Sequence, residues 1–127
     1  MTKLSAIAPV LLVRSVVESA NYFRDKVGFS FDRLWGDPPD FCMVTRDGCT
    51  IMLSQVATGT VITPNWKIVG KMWDAYLWVD DAKVIYEEMK GRGAIIDYTL
   101  GVKDYGCLEF GIQDLDDHDI AIGQVLT

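Results

Sequence analysis

Trp73-Asp74-Ala75-Tyr76-Leu77-Trp78-Val79-Asp80-Asp81 alternates with the period of a β-strand. Ala75, Leu77 and Val79 fall on one face and read as core; Asp74, Tyr76 and Trp78 fall on the other. Two large aromatics beside a carboxylate suit the wall of a wet, aromatic cavity. A strand buried on both faces, with the rings as filler, accounts for the same residues. Directly after this strand Asp81 can cap a helix whose inner stripe is Ala82, Ile85 and Met89, with Gly91 and Gly93 ending it. Strands are then expected over Ala94 to Leu100, Tyr105 to Gln113 and Ile120 to Val125, with an acidic turn from Asp114 to Asp119 before the last.

The same order occurs upstream. Ala6 to Val13 reads as a strand, and Ser15-Val16-Val17-Glu18 has the form of a capping box. Val16, Ala20, Phe23 and Val27 recur at helical spacing before Gly28 supplies a left-handed stop. Phe29 to Trp35, Phe41 to Thr45 and Cys49 to Gln55 read as strands, separated by a Gly36-Asp37-Pro38-Pro39-Asp40 turn and an Asp47-Gly48 hairpin. Val13 and Val79 are 66 residues apart, Gly28 and Gly93 65, Ile51 and Ile120 69. An internal repeat of this period makes each half one βαβββ unit. Repeat 1 is expected over about residues 5–56 and repeat 2 over about 72–127, with a Gly- and Pro-containing linker between them. One such half leaves a sheet face uncovered. Two halves, side by side or exchanged between chains, can curl around a shared cleft.

The 127 residues suit one domain with a sizeable core, half of it hydrophobic and a quarter charged. A net charge of −6 argues against a nucleic-acid partner and is compatible with a cationic ligand. Cys42, Cys49 and Cys107 are too scattered for a disulfide framework or a metal knuckle, and strand-like surroundings favour buried free thiols. The run Leu4 to Val13 lacks a cleavage site and leads into a capped helix, so it reads as a strand rather than a signal sequence. No apolar stretch approaches membrane-spanning length, and a cytoplasmic protein without membrane association is the expectation.

The βαβββ duplication resembles the vicinal oxygen chelate superfamily, which includes glyoxalase I, extradiol dioxygenases and bleomycin-resistance proteins, and within it is most similar to the last. The residues that carry the resemblance are PVLLVRSVVESANYFRDKVGF (Pro9 to Phe29), WGDPPDF (Trp35 to Phe41) and TRDGCTIMLSQV (Thr45 to Val56). TPNW (Thr63 to Trp66), AYLWV (Ala75 to Val79) and YGCLEFGIQD (Tyr105 to Asp114) continue it over nearly the whole chain. Two places depart from the usual pattern. Tyr105-Gly106 replaces Trp-Gly, and Asp114-Leu115-Asp116-Asp117-His118 replaces a Pro- and Gly-containing turn.

The resemblance implies an α+β fold of curved mixed sheets around a cleft, a homodimer that in this family often swaps an N-terminal strand, and binding of drug-like molecules, hence antibiotic resistance. Metal enzymes of the superfamily take ligands from four inward strand positions. By the repeat register these are Ala8, Met52, Asp74 and Ala121, three of which offer no oxygen or imidazole donor. No metal or other cofactor is therefore expected. His118, the only histidine, reads as a solvated residue of an acidic surface turn. No Ser/His/Asp or Cys/His set replaces a metal.

The expectation is a non-enzymatic protein that sequesters an aromatic, cationic small molecule through stacking, cation–π attraction and charge pairing. The candidate ligand contacts are Trp35, Asp37, Phe41, Trp66, Asp74, Tyr76, Trp78, Tyr105 and Glu109, with Trp73 and Tyr98 as further aromatics. Glu109, between Leu108 and Phe110, points either into the cleft or into solvent. The alternatives are a metal-dependent lyase, isomerase or dioxygenase, or an accessory module that binds a metabolite.

Overall fold

The computed structural model describes residues 1–127. Its strands are β1 (Val10–Val13), β2 (Leu34–Trp35), β3 (Phe41–Arg46), β4 (Cys49–Gln55), β5 (Ala75–Trp78), β6 (Ile95–Lys103), β7 (Cys107–Gln113) and β8 (Asp119–Val125). Helix α1 (Val16–Tyr22) continues as a π-helical turn over Phe23–Val27, and α2 spans Ala82–Arg92. The first sheet has the order β1-β4-β3-β2 and the second β5-β8-β7-β6. In each, the first strand runs parallel to the last and the other pairings are antiparallel. The architecture is the expected pair of βαβββ units in an α+β fold.

The repeat persists at the level of single hydrogen bonds. The Ser15 hydroxyl accepts from the Glu18 amide, and the Asp81 carboxylate accepts from the Val84 amide. Gln55, at the end of β4, accepts through its side chain from the Val16 amide; Gln124, near the end of β8, accepts from the Ala82 amide. Each glutamine thus satisfies an orphan donor in the first turn of its own unit's helix, a buried group that water does not reach. Gly28 (φ +81°) and Gly93 (φ +90°) close the two helical segments in the left-handed region, as their spacing predicts.

Alternation sets which face is buried. Leu11 and Val13 of β1, Ile51 and Leu53 of β4, and Cys42 and Val44 of β3 point into the core, as do Phe110, Ile112, Ile120 and Ile122 of the second sheet. Helix α1 packs on β3 and β4, α2 packs on β6, β7 and β8, and the π turn packs against α2. One apolar cluster therefore draws on both halves, with the fully buried Phe23 and Phe110 among its largest members. Burying rings of this size contributes roughly 1.5–3 kcal/mol each. The other face of each sheet is left open.

Several boundaries differ from the sequence expectations. β1 begins at Val10, and residues 1–9 lie outside any strand with Leu4 and Ile7 fully exposed. Between Phe29 and Trp35 only Leu34–Trp35 is strand, with one isolated bridge from Ser30 to Thr45. Tyr105 and Gly106 belong to the turn before β7, while β6 runs on to Lys103. Cys42 and Cys107 are buried free thiols, but Cys49 is exposed at the hairpin edge. No helix is long and apolar enough to cross a membrane.

Candidate functional site

The open face of the second sheet has an unusual composition. Tyr76, Ala121, Gly111 and Tyr98 lie in one cross-strand row, and Trp78, Gly123, Glu109 and Gly101 in the next. Small residues at the centre let rings from the edge strands fold inward onto the sheet. A Cβ added to Gly123 would overlap the Tyr76 hydroxyl, and one added to Gly111 would overlap the Tyr98 ring. Neither glycine has a positive φ, so close approach, not backbone conformation, demands them.

The rings converge on one carboxylate. Glu109 is 1% exposed. Its Oε1 accepts from the Tyr76 hydroxyl at 2.7 Å and from the Tyr105 hydroxyl at 2.7 Å; its Oε2 accepts from the Tyr98 hydroxyl at 2.6 Å. The Trp73 indole donates to the Tyr98 oxygen at 3.1 Å. Trp73 also meets Tyr76 edge-on with ring centroids 4.9 Å apart, and Trp78 lies 4.3 Å from Tyr76. A buried charge without a counter-cation needs such donors, and three short O–H···O bonds supply them. Burial, followed by the hydrogen bond to Glu109, raises the pKa of each of the three phenols. They remain neutral donors across the physiological range.

Above this floor opens a cavity of about 760 Å³ lined by Trp73, Tyr98, Tyr105, Glu109, Asp97 and Asp119, with Lys71 and Lys103 at its edges. A smaller cavity of about 240 Å³ adjoins it through Lys71, Asp97 and Asp119 and adds Trp66 and Gln113. Asp97 and Tyr98 both line the larger cavity because the register slips between Ile96 and Tyr98, leaving Asp97 unpaired on β6.

No sequence-family profile matches the chain, and no curated protein sequence matches it. Solved structures do. A glyoxalase/bleomycin resistance protein/dioxygenase from Alicyclobacillus acidocaldarius superposes with a TM-score of 0.77 at 14% identity, over 97% of this chain and 92% of that one. The bleomycin-binding protein of Streptomyces verticillus, solved with copper(II)-bleomycin, gives 0.67 at 22% identity, over 100% and 99%. TnmS3, an antibiotic binding protein from Streptomyces sp. CB03234, gives 0.71 at 17% identity, over 98% and 99%. The chain has the glyoxalase/bleomycin-resistance fold.

Within that fold the predicted site residues separate into two groups. Tyr76, Trp78, Tyr105 and Glu109 share the open face of the second sheet, together with Trp73 and Tyr98. Glu109 points inward, which resolves the choice left open by its neighbours. Trp66 follows Pro64 in a short 3₁₀ turn, donates from its indole to the Asp117 carbonyl and borders the smaller cavity. Trp35, Asp37 and Phe41 belong to the first sheet and its turn; none of them lines either cavity, and on the second sheet Asp74, Tyr76 and Trp78 line neither as well. Trp35 pairs across the strands with Phe41 and is stacked by the Arg33 guanidinium at 3.5 Å.

Asp74 shares the face of Tyr76, but its oxygens are engaged. One accepts from the Asn65 amide and the other from the Asp119 amide, so it fastens the linker to β8. Asp97 and Asp119 are cavity residues that the sequence does not single out. Alternation alone cannot place Asp97, which depends on the register slip, and Asp119 sits at the end of the acidic turn segment, where no strand periodicity marks it.

The metal-binding positions of the fold do not suit an ion here. Cross-strand pairing sets Val10 opposite Met52 and Tyr76 opposite Ala121. Asp74 is spent on backbone amides, and no three His, Cys, Asp or Glu side chains converge in a way that could hold a metal. A divalent ion needs several such donors.

In the hairpin from Asp114 to Asp119 the side chains of Asp114, Asp116, His118 and Asp119 are buried while Leu115 and Asp117 are exposed, which corrects the expectation of a solvated His118. His118 is 5% exposed, and its Nδ1 lies 2.8 Å from Asp114 Oδ2. Asp114 Oδ1 accepts from the Asp116 and His118 amides, and Asp116 accepts from Arg14. Side-chain acceptors thus do the work that Pro and Gly do in the usual turn.

The hairpin makes stability depend on pH. Burial lowers the His118 pKa, but Asp114, Asp74 and Asp116 outweigh it and the net direction is up. A raised histidine stabilises the fold below its unfolded pKa, and that contribution is lost as pH rises through the folded value. Burial, with Asp97 and Asp74 as negative neighbours and Gln113 opposing, pushes Asp119 up to about 6. A raised carboxyl has the same sign: the folded state holds its proton longer, so stability declines as pH climbs towards and through 6. The melting temperature is expected to be higher at pH 5.5 than at pH 8, with Asp119→Asn shrinking the difference. Calorimetric scans at the two pH values check this, and a flat or reversed profile contradicts it.

Proposed function

We propose that this chain is a binding protein of the bleomycin-resistance type, which sequesters an aromatic, cationic small molecule on the open face of its second sheet without chemical turnover. The observation that carries it is the floor itself. Three phenols donate to one buried carboxylate and an indole donates to one of those phenols, and Trp73, Tyr98, Tyr105 and Glu109 of this set line an open cavity of about 760 Å³. Rings fixed in this way lose little freedom when a flat ligand stacks on them, so the ordering cost of binding is low. Two of the structural neighbours bear names that describe binding of bleomycin or of an antibiotic.

In this proposal a second copy closes the cleft. Val10, Leu12, Met43 and Met52 leave the first sheet's outer face apolar and partly uncovered, beside Trp35 and Phe41. A copy presenting that face would bring Trp35, Asp37 and Phe41 towards the ligand, which the single chain does not. An apolar face of this kind marks an interaction surface. Sedimentation analysis tests the dimer; a monomer at all concentrations would contradict it.

Saturable quenching of tryptophan fluorescence by bleomycin or other aromatic cations tests the binding. Trp78 is 63% exposed and lies tilted against Tyr76, so Trp78→Ala should weaken a quenching ligand by about threefold to tenfold, the loss of one aromatic contact. Unchanged affinity would show that this face is not where the ligand rests.

A further inference from the structure

Asp119 is the one carboxylate around the cavities whose buried oxygen has no partner. It is 5% exposed, and its Oδ1 forms no hydrogen bond. Its orientation is fixed by the backbone. The Asp119 amide donates to Asp74 Oδ2 and its carbonyl accepts from the Asp74 amide. It borders both the larger and the smaller cavity, as does Asp97. Gln113 and Asp74 flank it from β7 and β5. Lys71 lines both cavities and Lys103 the larger one, and neither forms an ion pair.

A buried acceptor with an unused oxygen costs free energy, on the order of 1–3 kcal/mol, unless something fills its bonding capacity. Glu109 shows the contrast within the same cavity, since each of its oxygens already accepts from at least one phenol and neither is without a partner.

We infer that Asp119, with Asp97 beside it, is the socket for an N–H-bearing cationic group of the ligand, a primary or secondary ammonium, whose attached ring lies on the Tyr98–Tyr105–Trp73 side of the cavity. This rests on the binding function proposed above and adds the class of group recognised. An orphan oxygen requires a donated hydrogen, so a quaternary ammonium of equal charge does not satisfy it. Asp97 adds a second negative charge on the same cavity.

Three probes with one ring system test the inference by calorimetric titration: 2-naphthylmethylamine, its N,N,N-trimethylammonium analogue and 2-naphthylmethanol. The amine should bind about tenfold more tightly than either of the others. Asp119→Asn should bring the amine-to-alcohol affinity ratio close to one, and Asp97→Asn should lower it about threefold. A ratio that Asp119→Asn leaves unchanged overturns the inference while the binding function stands. So does equal affinity for the amine and its trimethyl analogue, because charge without a donated hydrogen would then suffice. If Asp119→Asn and Lys71→Met lower the melting temperature alike and the amine binds no better than the alcohol, the lysine occupies the socket and the inference fails. If none of the three probes binds at millimolar concentration, the binding function fails and the inference with it.

Discussion

Gly123→Ala is expected to dismantle the floor of the cavity. In most strands this exchange helps, because glycine in a strand interior costs roughly 0.5–1 kcal/mol relative to alanine. Here the sign reverses. The new methyl would overlap the Tyr76 hydroxyl and come within 2.8 Å of its Cζ, so the ring must leave. Tyr76 then loses its bond to Glu109 and its edge contact with Trp73, and Trp78 loses the ring it lies against. Overpacking of this kind costs about 1–3 kcal/mol. A lowered melting temperature, with loss of any ligand that quenches the wild type, is the expected result. The double variant Gly123→Ala/Tyr76→Ala separates the causes. If the clash is the reason, the two substitutions are strongly non-additive and the double variant is more stable than the sum of single losses predicts. Gly123→Ala melting at the wild-type temperature with the Tyr76–Glu109 bond intact would refute the close-approach account. Gly111→Ala should behave likewise through Tyr98.

Glu109→Leu is the second large effect, and two opposing terms decide it. Removing a buried carboxylate recovers the cost of desolvating a charge, which favours the variant. Against this, three phenols lose a charge-assisted acceptor, each bond contributing roughly 1.5–3 kcal/mol. Tyr105 is exposed and can turn to water, but Tyr98, held between Trp73 and Glu109 over Gly111, has less opportunity. The balance is a net destabilisation of about 1–3 kcal/mol. The sharper readout is spectroscopic. Tyr76, Tyr98 and Tyr105 are raised partly by Glu109, so in the leucine variant they should ionise at lower pH than in the wild type. Ultraviolet titration of the phenolate band measures this. Coincident titration curves would mean that the carboxylate does not hold the rings.

Much of the fold was legible along the chain because its cause is local and repeated. The capping residues Ser15 and Asp81, the left-handed stops Gly28 and Gly93 and the alternation in β5 each depend on a few neighbouring residues. Their recurrence at a nearly constant offset shows that the same unit is built twice. The alternation of Tyr76 and Trp78 away from Ala75 and Leu77 likewise set both rings on the sheet face that carries Glu109, although neither ring lines a cavity. Where local causes were weak the expectations slipped. The segment from Phe29 to Asp32 makes only one bridge, and of the residues before Val10 only Pro9 reaches a strand, its carbonyl accepting from the Met52 amide of β4.

By itself, then, the sequence determined the paired βαβββ architecture, the caps and the aromatic face of β5, since periodicity and spacing encode them directly. Only the tertiary structure decided that Glu109 faces inward beneath three tyrosines, that Asp74 is consumed by two backbone amides, that His118 is buried against Asp114, and that Asp119 keeps an unpartnered oxygen. Each of these depends on which groups from distant strands come within hydrogen-bonding distance, and cross-strand register, including a one-residue slip beside Asp97, sets that distance without leaving a periodic trace in the chain.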